Sequence, residues 1–241
     1  MTGVQTCALP ISNIVRTLGA DLGVLLDTGG EKVFLVDEKG EIVAGDLALA
    51  LVALLEMRTR PPGRIVIPVT ASRAIARLAE EHGFQVTRSR GTARALTEAA
   101  LAPDVALVGE ELGGLIFPSF HPAFDGMSAV VRTLEMMARL DVRLHQLAST
   151  IPESHIVRLE VPCPDERKGA VMRRLIAATK GSDVELIEGV RVSMGDDWVA
   201  AIPDADRATF HVVAEAANRD RAQRLAEEFR DRITGWRKEP A

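Results

Sequence analysis

The chain has 241 residues, 47% of them apolar, with a formal net charge of −5. That length can bury a substantial core and suggests one or two domains. Charges of mixed sign leave no footprint for nucleic acid, and no apolar run approaches the roughly 18 residues of a membrane span, so the expected compartment is the cytoplasm.

In chain order, the opening MTGVQTCALPI lacks the basic start of a targeting segment, and Pro10 interrupts its short apolar run. A common short-read sequencing adapter encodes this string when GTG is read as the start codon. Residues 1–11 are therefore expected to be foreign to the natural chain, which has then lost its front part. Of the two cysteines, Cys7 falls in that stretch and Cys163 stands alone between prolines, which rules out a disulfide framework or a cysteine metal site.

Residues 22–26 read as a buried strand, 27–32 as a tight polar loop and 33–36 as a second strand. An Asp-Glu-Lys-Gly turn and a short third strand follow. An acidic residue at the carboxyl end of an apolar strand, followed by glycines, is how α/β proteins set a metal or phosphate site outside the sheet. With the upstream part gone, the first strand is expected to present a bare apolar edge.

Asp46 is expected to cap a helix over 47–58 whose apolar residues run nearly all round, which requires deep burial. Pro61-Pro62-Gly63 then breaks the chain. A strand over 64–69, a helix capped by Thr70 or Ser72 and closed at Gly83, and a strand over 84–87 follow. A helix over 92–100, strands over 105–108 and 115–117, and a helix over 127–140 opened by Asp125-Gly126 complete the run. This alternation predicts a mostly parallel sheet covered by helices, with Met136 and Met137 filling its core.

The pattern changes near 150–154. A strand over 155–161, an Asp-capped helix over 166–180, strands over 184–187, 190–194, 198–202 and 210–216, and a last helix over 219–236 predict a small α+β domain with an antiparallel sheet. His155 and His211 read as strand residues. Neither a G-x-S-x-G elbow nor a Walker loop is present in the sequence.

The order of these pieces from 12 to 236 resembles the α-D-phosphohexomutases, the phosphomannomutase/phosphoglucomutase family. The family's metal loop reads D-G-D-G-D-R; here it is Asp27-Thr28-Gly29-Gly30-Glu31-Lys32. The sugar loop, G-E-x-S-G-H, is matched by Gly109-Glu110-Glu111-Leu112-Gly113-Gly114, and F-H-P-A-x-D-G is intact from Phe120 to Gly126. The phosphate loop, R-P-S-N/G-T-E-P, is matched by Ile202-Pro203-Asp204-Ala205-Asp206-Arg207-Ala208. The resemblance implies a phosphohexomutase-like three-layer α/β/α domain followed by a small α+β domain with an antiparallel sheet. Residues 12–45 would be the remnant of the family's second domain, 46–152 its third and 153–237 its fourth. It also implies Mg2+ as the family's cofactor, a sugar phosphate as its ligand, and missing upstream domains of the same chain, which would carry the phosphoserine.

Each loop departs from the family's pattern. The implied metal ligands are Asp27 and Glu31, but Gly29 replaces the middle acid and Lys32 the arginine. Magnesium demands octahedral oxygen ligation, so binding should weaken greatly. Glu110 and Glu111 remain in the sugar loop, while its serine and histidine have become Leu112 and Gly114. The family's other Gly-His is absent, since no histidine lies between His82 and His121. In the phosphate loop Asp204 and Asp206 replace donors and would repel a dianion, with Arg207 offsetting them in part. No catalytic residue is assigned. The expectation is a non-catalytic module like the mutase-like carboxyl-terminal part of bacterial mannose-1-phosphate guanylyltransferase fusions. A fragment of an active mutase and a sugar-sensing module are the alternatives.

Overall fold

The computed structural model describes residues 3–238. They fall into two compact units that divide between Pro152 and Glu153.

The first unit opens with helix α1 (Gly3–Leu18), which carries Pro10 inside it. Residues 3–11 are thus continuous in one helix with 12–18. Strands β1 (Gly23–Leu26), β2 (Val33–Val36) and β3 (Ile42–Val43) form an antiparallel sheet in that order. Helix α1 packs on β1: a Cβ built on Gly23 would lie 2.6 Å from Val15 Cγ2 and 2.9 Å from Ile11 Cγ2. β1 is an edge strand, as expected, but its face is covered rather than bare.

Helix α2 (Gly45–Thr59) is buried without a gap over residues 49–57, as its all-round apolar sequence requires. Its cap differs from expectation. Ala44 is the N-cap and makes no side-chain bond, whereas Asp46 Oδ1 accepts the backbone N–H of Ser72 at 3.0 Å. Asp46 sits inside the first turn, past the position from which a carboxylate reaches its own helix amides, so it serves the next helix instead.

Then come β4 (Arg64–Pro68), α3 (Arg73–Glu81), β5 (Gln85–Ser89), α4 (Ala93–Ala99), β6 (Val105–Gly109), β7 (Leu115–Ile116), α5 (Gly126–Leu140) and α6 (Leu144–Ala148). Ser72, Thr92 and Asp125 each cap the helix that follows through a side-chain oxygen. The five-residue α6 has too short a pattern to be read from sequence and follows the left-handed Asp141. The sheet runs β5-β4-β6-β7, with β4 parallel to β5 and β6, and β7 antiparallel to β6. Ile65, Ile67 and Leu107 pack with α2 and α3, while Val66, Val108 and Ile116 pack with Leu96 of α4. Alternate residues thus feed opposite faces, giving three layers.

The second unit contains β8 (His155–Pro162), α7 (Asp165–Ala178), β9 (Asp183–Glu185), β10 (Val190–Met194), β11 (Asp197–Pro203), β12 (Thr209–Ala216) and α8 (Arg219–Trp236). The sheet is antiparallel throughout, in the order β8-β12-β11-β10-β9. Val199, Ala201, Phe210 and Val212 pack against Val171 and Leu175 of α7 and Leu225, Phe229 and Ile233 of α8. The expected aspartate cap on α7 is not made. Pro164 is the N-cap, and Asp165 lies in the first turn and pairs with Lys168 at 2.6 Å. Among the described residues no helix is long and apolar enough to cross a membrane.

Candidate functional site

Three loops of the first unit converge: 27–32 after β1, 110–114 after β6, and the segment that opens α5. Asp27 organises the first of them. Its Oδ1 accepts the N–H groups of Glu31 at 2.8 Å and Lys32 at 3.0 Å, and its own N–H bonds the Lys32 carbonyl at 3.1 Å. The Lys32 N–H chiefly, and the other loop amides with it, hold the Asp27 carboxyl below its ordinary range. Asp27 is therefore ionised, with one oxygen held by its own loop. Glu31 is exposed and the middle position carries no acid. Lys32 adds an ammonium next in sequence. This donor set does not fit a magnesium ion, which needs octahedral oxygens and would compete with a fixed cation.

The second loop meets the first edge to edge. Val33 N–H donates to the Gly113 carbonyl at 3.0 Å, and Lys32 pairs with Gly114 in an antiparallel bridge. The side chains meet as well: Lys32 Nζ lies 2.8 Å from Glu110 Oε1, with Glu110 only 12% exposed. A Cβ on Gly114, where the family has its histidine, would stand 2.7 Å from both Glu110 Oε1 and Phe124 Cε1. The space for that ring is taken by Phe124. Leu112, at the family's serine position, points outward and is exposed, and Glu111 is half-buried.

The segment opening α5 explains its own glycine. Gly126 N–H donates to the Gly30 carbonyl at 2.8 Å, and a Cβ there would sit 2.8 Å from that oxygen and from Leu26 Cδ2. Asp125 Oδ1 accepts the Ser128 N–H at 2.9 Å. The intact F-D-G thus caps α5 and seats the Asp27 loop.

In the second unit, the loop between β11 and β12 is built around Asp204. Its Oδ1 accepts the N–H groups of Asp206 and Arg207, both at 2.9 Å. Its Oδ2 lies 2.7 Å from His211 Nε2 and 3.1 Å from Arg207 Nε. His211 first, then the loop amides, push the Asp204 carboxyl far below its ordinary range. Arg207 also reaches Glu160 Oε1 at 3.0 Å, and the Glu160 bond chiefly raises its guanidinium's affinity for the proton. Lys168 Nζ closes the loop from below, donating to the carbonyls of Asp204 at 2.5 Å and Arg207 at 2.6 Å. Asp206 is exposed. Ile202, at the family's arginine position, is only 7% exposed. Sequence reasoning treated this loop as two acids repelling a phosphate. Arg207 does pair with one of those acids, Asp204, but Asp204 is saturated and Arg207 is also held by Glu160. His211, Glu160 and Lys168 were missed as its partners, because they come from β12, β8 and α7 and carry no local pattern.

Residues 44–155 match the family model for phosphoglucomutase/phosphomannomutase, alpha/beta/alpha domain III. A protein of Methanopyrus kandleri named "probable phosphoglucosamine mutase" is 31% identical over 219 residues, which cover 90% of this chain and 48% of that protein. A solved phosphoglucomutase/phosphomannomutase family protein from Burkholderia thailandensis aligns with TM-score 0.83 at 20% identity, over 98% of this chain and 51% of that one. The Aspergillus fumigatus N-acetylphosphoglucosamine mutase, solved in complex with GlcNAc-6P and magnesium, aligns with TM-score 0.68 at 14% identity over 94% of this chain and 53% of that one. The chain spans about half the length of the curated relatives it matches. Together the domain match over residues 44–155 and the relatives support the α-D-phosphohexomutase superfamily.

Proposed function

We propose that this chain is a mutase-like module that keeps the phosphohexomutase framework without performing phosphoryl transfer, as part of a larger protein of sugar-phosphate and sugar-nucleotide metabolism. The Lys32–Glu110 ion pair carries this reading. An ammonium sits on the carboxylate that would take the sugar hydroxyls, and it comes from the loop that would hold the metal. The filled space at Gly114 and the saturated Asp204 support the same reading. The larger protein we propose is a mannose-1-phosphate guanylyltransferase fusion.

Calorimetry with mannose and mannose 1-phosphate tests the module. The phosphate should add nothing to binding, because Arg207 is already engaged by Asp204 and Glu160. Micromolar binding of mannose 1-phosphate would overturn the proposal. The name of the Methanopyrus relative favours a second reading, half of an active mutase. The uninterrupted upstream reading frame separates the two: a nucleotidyltransferase glycine-rich loop there favours the fusion, and a phosphoserine loop favours the mutase.

A further inference from the structure

Away from the eroded loops, the turn after β2 and the start of α6 bring three metal-ligating side chains together. We propose that Asp37, Glu41 and His145 bind a single divalent transition-metal ion of the zinc class, through one imidazole nitrogen and two carboxylates. The ligand atoms all lie within 4.8 Å of one another. His145 Nδ1 is 3.1 Å from Asp37 Oδ2 and 3.7 Å from Glu41 Oε2. Ligand atoms on a tetrahedral ion with metal–ligand bonds of 2.0–2.1 Å stand about 3.3 Å apart, so the cluster closes on such an ion with small side-chain movements.

The buried carboxylate is already aimed. Asp37 is 2% exposed, and its Oδ1 is occupied by the N–H groups of Lys39 at 3.0 Å and Glu41 at 2.8 Å. Its Oδ2 is left facing the imidazole. Fixing one oxygen by backbone donors so that the other is presented is how protein metal sites orient a carboxylate ligand. Glu38 Oε2 accepts the His145 backbone N–H at 3.1 Å, which fixes the residue that carries the ring. Two carboxylates therefore face one imidazole, and a third holds the backbone that carries it. Arg143, two positions away, is paired with Asp21 at 3.3 Å. A cluster of this charge calls for a cation.

The ligand type selects the ion. An imidazole nitrogen with two carboxylate oxygens suits zinc and its neighbours, whereas magnesium prefers oxygen ligands and keeps its waters. Glu41 is 68% exposed, so a fourth position opens to solvent. The site is independent of the mutase-like reading and would stand if that reading fell.

The test uses the tag-free full chain. Zinc binding is measured by calorimetry, and cobalt binding by the visible absorption of four-coordinate Co2+. One equivalent should bind saturably, and both His145→Ala and Glu41→Gln should weaken it by at least about tenfold. Glu41→Gln lies at an exposed position and guards against a folding defect in His145→Ala. Glu98→Gln, on the exposed face of α4, should leave the affinity unchanged. Absence of a saturable site, a cobalt spectrum without four-coordinate bands, or wild-type affinity in both cluster variants would each overturn the proposal.

Discussion

Lys32 Nζ and Glu110 Oε1 stand 2.8 Å apart and tie the loop after β1 to the loop after β6. A cation of the implied metal loop and the acid that the resemblance assigns to sugar recognition thus neutralise each other. Lys32→Met should release Glu110. We expect the variant to bind mannose or glucose measurably by calorimetry where the parent binds neither, with a stability change of about 1 kcal/mol or less, as for a partly exposed pair. Equal silence in both proteins would show that the pair is not what closes the pocket.

Gly29 has room for a side chain. A Cβ there would lie 3.7 Å from both Asp27 Oδ2 and Glu31 Cγ. Gly29→Asp should therefore fold and gather three carboxylates on one loop. Its magnesium affinity, followed by calorimetry, should rise at least about tenfold over the parent. Without magnesium, mutual repulsion should lower its thermal midpoint.

The Asp204 network makes a pH prediction. Its folded-state carboxyl is depressed, so its contribution to stability is complete above the unfolded value of about 3.9 and is lost as pH falls through the lower folded value. Asp204→Asn should lower the thermal midpoint at neutral pH. It should also flatten the decline below about pH 4, where parent and variant converge. Parallel pH profiles would mean that His211 and Arg207 do not act through this carboxylate.

Helix α1 makes a packing prediction. Because Val15 and Ile11 close over Gly23, Gly23→Ala should overpack the contact and destabilise by about 1–3 kcal/mol in chemical denaturation. Deleting residues 1–11 removes Ile11 from the same contact and should lower the midpoint too.

Cys163 is fully buried, and burial raises its thiol above the ordinary range. Its reaction with a disulfide reagent should follow the unfolding rate of the second unit rather than the reagent concentration.

Much of this fold was legible from residue periodicity. The all-round apolar run of α2, the alternation of Ile65, Val66 and Ile67, and the one-sided face of α8 each constrain their burial without reference to other elements. Caps were legible where a short polar side chain immediately precedes its helix, as at Ser72 and Asp125, while Thr92 was read as part of the helix that it caps. They failed at Asp46 and Asp165, which lie two positions and one position past their N-caps. The loops were harder. The family resemblance implied which acids had been lost or gained, but not that Lys32 would reach Glu110, nor that Phe124 would fill the space at Gly114. Those contacts join residues far apart in the chain, and nothing in a local pattern encodes them. The cluster of Asp37, Glu41 and His145 was invisible for the same reason, since its histidine sits on a single turn beyond the last long helix of its unit.

Helix α2, buried on every side over residues 49–57, offers water no approach to its amides unless the first unit opens as a whole. Its backbone protons are then the slowest in that unit to be replaced by deuterium, and their replacement rate measures the free energy of the whole unit. Any substitution in the Asp27 or Glu110 loops that weakens the unit should speed all of those amides together, by about tenfold for each 1.4 kcal/mol lost. A change confined to the loops should leave them untouched. The central helix is in this way a built-in gauge for separating loops that alter binding from loops that unsettle the fold.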